Sequence, residues 1–162
     1  MYRIKTGTFS DVEEIWTIIE KTLESKSDDA AEGRKQRDLF YLTHSIKKIE
    51  LEIMNNYQHY ILLFKGDIAE AFASFSILGK HPSYLKIQKM FPFSKDEEVP
   101  EALIGYMQEL GRKRGADRII IQIIGEEQRN FFAAIGFEEN TYEWNSSINI
   151  NGIEMIKRIK AY

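Results

Sequence analysis

Arg118–Ile124 reads RIIIQII, five isoleucines interrupted by one glutamine. A run of β-branched residues of this kind suits a central strand buried on both faces, because a half-exposed strand alternates apolar with polar positions. The segment before it fixes its neighbour. Pro100 opens a helix that runs to Arg114 and stops at Gly115, with proline in the first turn and glycine just past the end. Ahead of that helix, Tyr84–Phe91 alternates as a strand. Strand, helix and strand in this order make a right-handed parallel crossover. Met90–Phe91 and Ile119–Ile123 are therefore expected side by side and parallel, diverging near Phe91.

The remaining elements assemble around this unit. Tyr2–Lys5 reads as a short strand, and Ser10 with Glu13 fits a capping box ahead of an apolar face of Ile15, Trp16, Ile18, Ile19 and Leu23. A polar stretch, Ser25–Lys35, separates it from a second helical face made of Leu39, Phe40, Leu42, Ile46, Ile49 and Ile53. Tyr57–Phe64 and Ile68–Leu78 form a hairpin across Lys65-Gly66-Asp67. Glu126–Ile135 is a short helix closed by Gly136, and Asn151-Gly152 marks a terminal hairpin between NSSINI and IEMIKRI. The order is strand, two helices, three strands, helix, strand, helix, two strands. One α+β domain over residues 1–162 is expected.

Composition narrows the function. With 162 residues, 43% apolar and 29% charged, the chain has the make-up of an ordinary globular protein. A net charge of −3 offers no bulk attraction to nucleic acid or anionic lipid, so neither nucleic acid nor membrane is an expected partner. There is no cysteine, hence no disulfide, thiolate zinc site or cysteine nucleophile. The N-terminal MYRIKTGTFSDVEEIW lacks the apolar core of a signal peptide, and no apolar run approaches the roughly 20 residues needed to span a bilayer. A cytoplasmic protein is the expectation. His44, His59 and His81 are not spaced as a metal pair with a nearby histidine or carboxylate, so no metal is expected.

The stretch MFPFSKDEEVPEALIGYMQELGRKRGADRIII, followed by FFAAIGF, resembles the GCN5-related N-acetyltransferases, and the element order matches that family over nearly the whole chain. Met90-Phe91-Pro92 falls on the family's strand end, Lys95 on its basic loop position, and Leu103 on its first buried helix position. Gly115-Ala116-Asp117 falls on the helix-to-strand turn and Phe131–Phe137 on the last motif. The resemblance implies a mixed, mostly antiparallel sheet of about seven strands with about four helices and a central parallel pair. It also implies transfer of an acetyl or other acyl group from acetyl-CoA to a small-molecule or peptide amine, and it is compatible with a homodimer.

Under this resemblance Met90, Phe91, Lys95, Asp96, Glu97, Glu98 and Val99 border the coenzyme on one side, and Arg129, Asn130 and Phe132 on the other. A backbone N–H near Met90 or Phe91 would polarise the thioester carbonyl. Tyr84 and Gln88, which face the same way on one strand by the period of two, and Glu70 on the preceding strand are the candidates for proton removal, with His59 and His81 as further bases. Phe72, Phe75, Phe91, Phe93, Phe131 and Phe132 are either tunnel lining or core.

The chemistry departs from the family's pattern at three places, one of them Gly125, where the family often has an asparagine before its last helix. Its loop glycines fall on Asp96, Glu98 and Pro100, and its frequent catalytic tyrosine falls on Phe132. A carboxylate about 6 Å from a phosphate charge, at an effective dielectric of about 40, repels it by roughly 1.4 kcal/mol. Acids just before a helix also stabilise it, typically by ~0.3–1 kcal/mol each. A rival reading follows, in which the same fold has lost the coenzyme and serves as a binding or regulatory module.

Overall fold

The computed structural model describes residues 1–25, 45–56, 58–80, 82–91, 98–123, 126–140 and 153–160. Among them Tyr2–Thr6 (β1), His59–Lys65 (β2), Ile68–Leu78 (β3), Ser83–Phe91 (β4), Ala116–Ile123 (β5), Glu138–Glu139 (β6) and Ile153–Arg158 (β7) form one sheet in the order β1-β2-β3-β4-β5-β7-β6. All neighbours are antiparallel except β4 and β5, which are parallel. The described helices are Val12–Ser25 (α1), Ile46–Met54 (α2), Glu98–Lys113 (α3) and Glu126–Ala134 (α4). This is the expected mixed sheet with its central parallel pair.

The helices divide between the two faces. Val12, Ile15, Ile18 and Ile19 of α1, with Ile49 of α2, pack on Tyr60, Leu62, Phe64 and Phe72. On the other face, Leu103, Ile104 and Met107 of α3, with Phe131 and Phe132 of α4, cover Ile61, Leu63, Ala73, Phe75, Leu85 and the β5 isoleucines 119, 121 and 123. Each face of β2 and β3 is thus sealed by helix. On β5 the both-sided burial expected from RIIIQII holds at Ile120, buried on the α1 side, and ends at Gln122, which is exposed. Glycine closes two of the helices: Gly115 and Gly136 sit at φ +78° and +97°, where a Cβ would be strained.

Three local expectations are corrected, and a fourth falls outside the described residues. Parallel pairing runs from Ser83↔Ala116 to Ile87↔Ile121 and stops there, so Met90–Phe91 lie beyond the paired region and the strands part at Ile87. The second helical face does not run unbroken from Leu39 to Ile53: a helix begins at Ile46, because the Ser45 hydroxyl caps it by accepting the Lys48 N–H at 3.1 Å, while Leu39, Phe40 and Leu42 lie outside the described residues. The first strand of the terminal hairpin, NSSINI, also lies outside them; the described partner of β7 is the two-residue β6.

The N-terminal cap of the α1 region is Thr8 with Asp11, not Ser10 with Glu13. The Asp11 carboxylate accepts the Thr8 N–H at 2.7 Å and the Lys5 ammonium at 2.6 Å from a buried position, which fixes the short turn Phe9–Asp11 ahead of α1. Burial works to raise the Asp11 pKa, but the bonds from Lys5 and Thr8 outweigh it and hold the carboxyl below its usual range. A lowered native pKa means that the unfolded chain binds the proton first on acidification. The contribution is therefore complete above the unfolded value near 4 and fades as pH falls through the native value. Asp11→Asn should cost about 1–2 kcal/mol at pH 7, the range of a lost cap. In urea melts the deficit should shrink as pH falls from 5 towards 2, and a constant deficit would contradict this account.

Candidate active site where two parallel strands part

β4 stays paired with β3 up to Phe72↔Phe91, whereas its pairing with β5 ends at Ile87. From Gln88 to Phe91 the edge of β4 that faces β5 therefore has no strand partner among the described residues. Unpaired backbone N–H and C=O groups in a protein interior need partners, so a strand edge opened inside a sheet is suited to a ligand that supplies them. The pairing of β3 with β4 also slips between Ser74↔Lys89 and Phe75↔Ile87, leaving Gln88 as an extra residue. Such a bulge increases local twist and turns side chains out of phase. A cavity of about 100 Å³ occupies the fork, lined by Ile87, Gln88, Lys89 and Met90 from β4, Ile121 and Gln122 from β5, and Gln128 and Phe132 from α4.

α3 begins at Glu98, seven residues past Phe91, and brings its positive end to this side of the sheet. Glu98 is exposed in the first turn, and Val99 and Pro100 are buried there, so Val99 offers the site only its backbone. Pro100 lies in the first turn, where its missing N–H removes no helical bond. Lys95, Asp96 and Glu97 lie outside the described residues, as do Phe93 and His81.

The structure brings together only some of the candidate residues. Met90, Gln88 and Phe132 share the fork cavity. Phe91 turns to the α1 side and stacks on Phe72 at 5.5 Å, while Phe75, Phe131 and Phe132 belong to the α3 side, so the aromatics are core on two faces and not one tunnel. Phe132 is 1% exposed and meets Phe131 and Phe137 edge-on. Tyr84 sits opposite Leu78 at the far end of β4, roughly 20 Å from Met90 at about 3.3 Å per residue, and the bulge breaks its phase with Gln88. Glu70 is exposed on β3. Arg129 is exposed on α4 and ion-paired with Glu139, and Asn130 beside it is exposed. His59 lies on β2, tilted on the Phe75 ring; burial and then the Arg114 charge lower its pKa, so it is neutral at pH 7 and two strands from β4.

One cluster escaped the sequence reading. Lys89 extends from β4 to the α1 side, where its ammonium donates to Glu52 Oε2 at 3.2 Å and to the Tyr60 hydroxyl at 3.1 Å. Tyr60 in turn donates to the same carboxylate oxygen at 2.5 Å. All three side chains are nearly sealed from solvent. Burial pushes the Lys89 pKa down, with Glu52 pulling it part of the way back. Burial and Glu52 both push the Tyr60 pKa up. A signal was present: Glu52 stands three residues after Ile49 on the apolar stripe of α2, where a carboxylate has to find a partner. Among the described residues no group of histidine, aspartate and glutamate is placed to hold a metal, and no helix is long and apolar enough to cross a membrane.

No family model and no curated protein matches the sequence. Solved structures do match over the whole chain. The PaiA N-acetyltransferase of Thermoplasma acidophilum, solved with coenzyme A, superposes with a TM-score of 0.78 at 11% identity, covering 98% of this chain and 99% of that one. A probable acetyltransferase of Staphylococcus epidermidis gives 0.73 at 19% identity over 99% and 100%. The ribosomal-protein-S18-alanine N-acetyltransferase of Escherichia coli gives 0.67 at 14% identity over 100% and 96%. The sheet order, the parallel pair and these superpositions together show that the chain has the fold of the GCN5-related N-acetyltransferases.

Proposed function

We propose that residues 1–162 form a single acyltransferase domain that moves an acetyl group from acetyl-CoA to an amine. The observation that supports it most is the fork after Ile87 and Ile121, which frees one edge of β4 beside the start of α3. Backbone N–H groups between Gln88 and Phe91 would receive the thioester arm and carbonyl. The start of α3, with Lys95 and the amides through Val99, would hold the pyrophosphate, Arg129 and Asn130 standing at the outer end. The acids at 96–98 would act for the helix, whose N-terminal end favours negative charge.

The reaction is direct attack. The amine nitrogen bonds to the carbonyl carbon and gives up a proton to water, the carbon–sulfur bond breaks, and the thiolate takes up a proton. Orientation of the two reactants supplies much of the rate. Phe132 has no proton to give, so the thiolate is protonated by water. Gln88, which lines the fork cavity, would hold a water on the incoming amine, whereas Tyr84 lies at the far end of β4. The Glu52–Tyr60–Lys89 cluster holds β4 in place immediately beside the fork.

Calorimetry with acetyl-CoA and with free CoA tests this reading. Saturable binding is expected, with a rise in melting temperature at millimolar acetyl-CoA, since a ligand bound only to the native state stabilises it. Thiol release with an amine panel should accompany it. Silent calorimetry with no thermal shift would leave the binding-module reading in its place.

A further inference from the structure

The α1 side of the sheet is sealed over β2 and β3, and among the described residues a cavity of about 460 Å³ lies on that side over the first half of β4 and over β5 and β7. That size is ordinary for a small-molecule site. Its floor is ordered by register. At one end Arg118 faces Arg158 directly across β5 and β7, while Lys86 on β4 is level with Ile120. In the middle Ile120 faces Ile156, and at the other end Gln122 faces Glu154. Gln122 lines this cavity and the fork cavity alike, so the groove leads from the arginine pair to the proposed reaction centre.

Like charges directly opposite each other on a sheet are destabilising. Arg158 and Lys86 have no carboxylate partner among the described residues, and the contact of half-buried Arg118 with exposed Asp117, which also lines the cavity, is long, at 3.4 Å. Arg118 is otherwise steadied by the Tyr84 ring, 5.1 Å below its guanidinium. At the fork end the polarity reverses: Glu154 takes a hydrogen bond from Asn140 through Oε1, leaving Oε2 to a cation. The groove therefore carries the arginine pair far from the fork, Ile120 and Ile156 with Lys86 at their edge in the middle, and Glu154 beside the fork.

We propose, resting on the acyl-transfer reading above, that this groove binds the acceptor. The acceptor is then an amine joined through an extended, partly apolar spacer to a carboxylate or phosphate. Its ammonium is drawn to Glu154 and Gln122, and its anion to Arg118, Arg158 and Lys86. The two ends lie roughly 13 Å apart, the length of four strand residues at about 3.3 Å each. A polyamine fits poorly, since its second ammonium would meet the arginine pair.

The test titrates labelled protein with 9-aminononanoate, with the matched aminoalkyl phosphate and with the matched α,ω-diamine. Each is followed by amide shifts and, with acetyl-CoA, by thiol release. The two anionic amines should move the amides of Arg118–Gln122 and Glu154–Arg158. Their kcat/KM should exceed that of the diamine by at least about tenfold, the effect of one close charge, and the margin should shrink with salt. The larger response of the two names the anion. Arg158→Glu sets an acid opposite Arg118, so it should fold normally and remove most of the preference. Equal responses to the diamine, no shifts in the groove, or indifference to Arg158→Glu would overturn the proposal. Failure of acetyl-CoA to bind would sink the acyl-transfer reading instead, while the amide shifts still decide whether the groove takes an anionic amine.

Discussion

Glu52→Ala should remove about 3–5 kcal/mol of stability, the range seen when one partner of a buried ion pair is deleted. The variant leaves the Lys89 ammonium sealed in the protein without its countercharge and takes the acceptor away from the buried Tyr60 hydroxyl. Both groups then bear a desolvation cost that nothing offsets. The large loss belongs to the broken network and not to the carboxylate as such. Combining Glu52→Leu, Tyr60→Phe and Lys89→Met should restore stability to within about 1–2 kcal/mol of the parent, since replacing a whole buried polar group by apolar side chains is often near neutral. Urea unfolding of both variants decides it. A mild Glu52→Ala, or a triple variant as weak as the single, would show that the three side chains do not act as one unit.

Phe132→Ala should cost a similar amount, about 3–5 kcal/mol, through lost burial plus the cavity left behind. The ring is fully buried between the edge-on rings of Phe131 and Phe137, and its remaining face looks into the fork. Phe132→Leu keeps most of the volume and should lose under half as much. A small loss for the alanine variant would mean that α4 does not close the fork as described.

Those two sites show what was legible in the sequence and what was not. RIIIQII, the proline-to-glycine helix before it and the FFAAIGF segment carry their own periodicity and stop signals, which is why the parallel crossover and the order of the elements were readable. Phe132 was placed by the same spacing. The buried cluster was not, because Glu52 and Lys89 are 37 residues apart and meet only when α2 packs across the sheet. The bulge at Gln88 has no sequence mark either, yet it decides which of the β4 side chains reach the fork and breaks the alternation that joined Tyr84 to Gln88. The Thr8–Asp11 cap was missed because two capping patterns overlap there, and the ammonium of Lys5 favours Asp11. Local pattern fixes elements; pairing and irregularity come from the tertiary fold.

The central claim is that the coenzyme is held on the edge of β4 left free beyond Ile87 and at the start of α3. Amide hydrogen exchange with and without acetyl-CoA tests it most directly, since amides without a strand partner exchange quickly until a ligand bonds to them. Protection should appear at Gln88–Phe91 and in the first turn of α3 from Glu98, with β1 and the β1-facing edge of β2 unchanged. Saturating acetyl-CoA that left the Gln88–Phe91 amides exchanging as before, or that protected the β1–β2 edge instead, would contradict it.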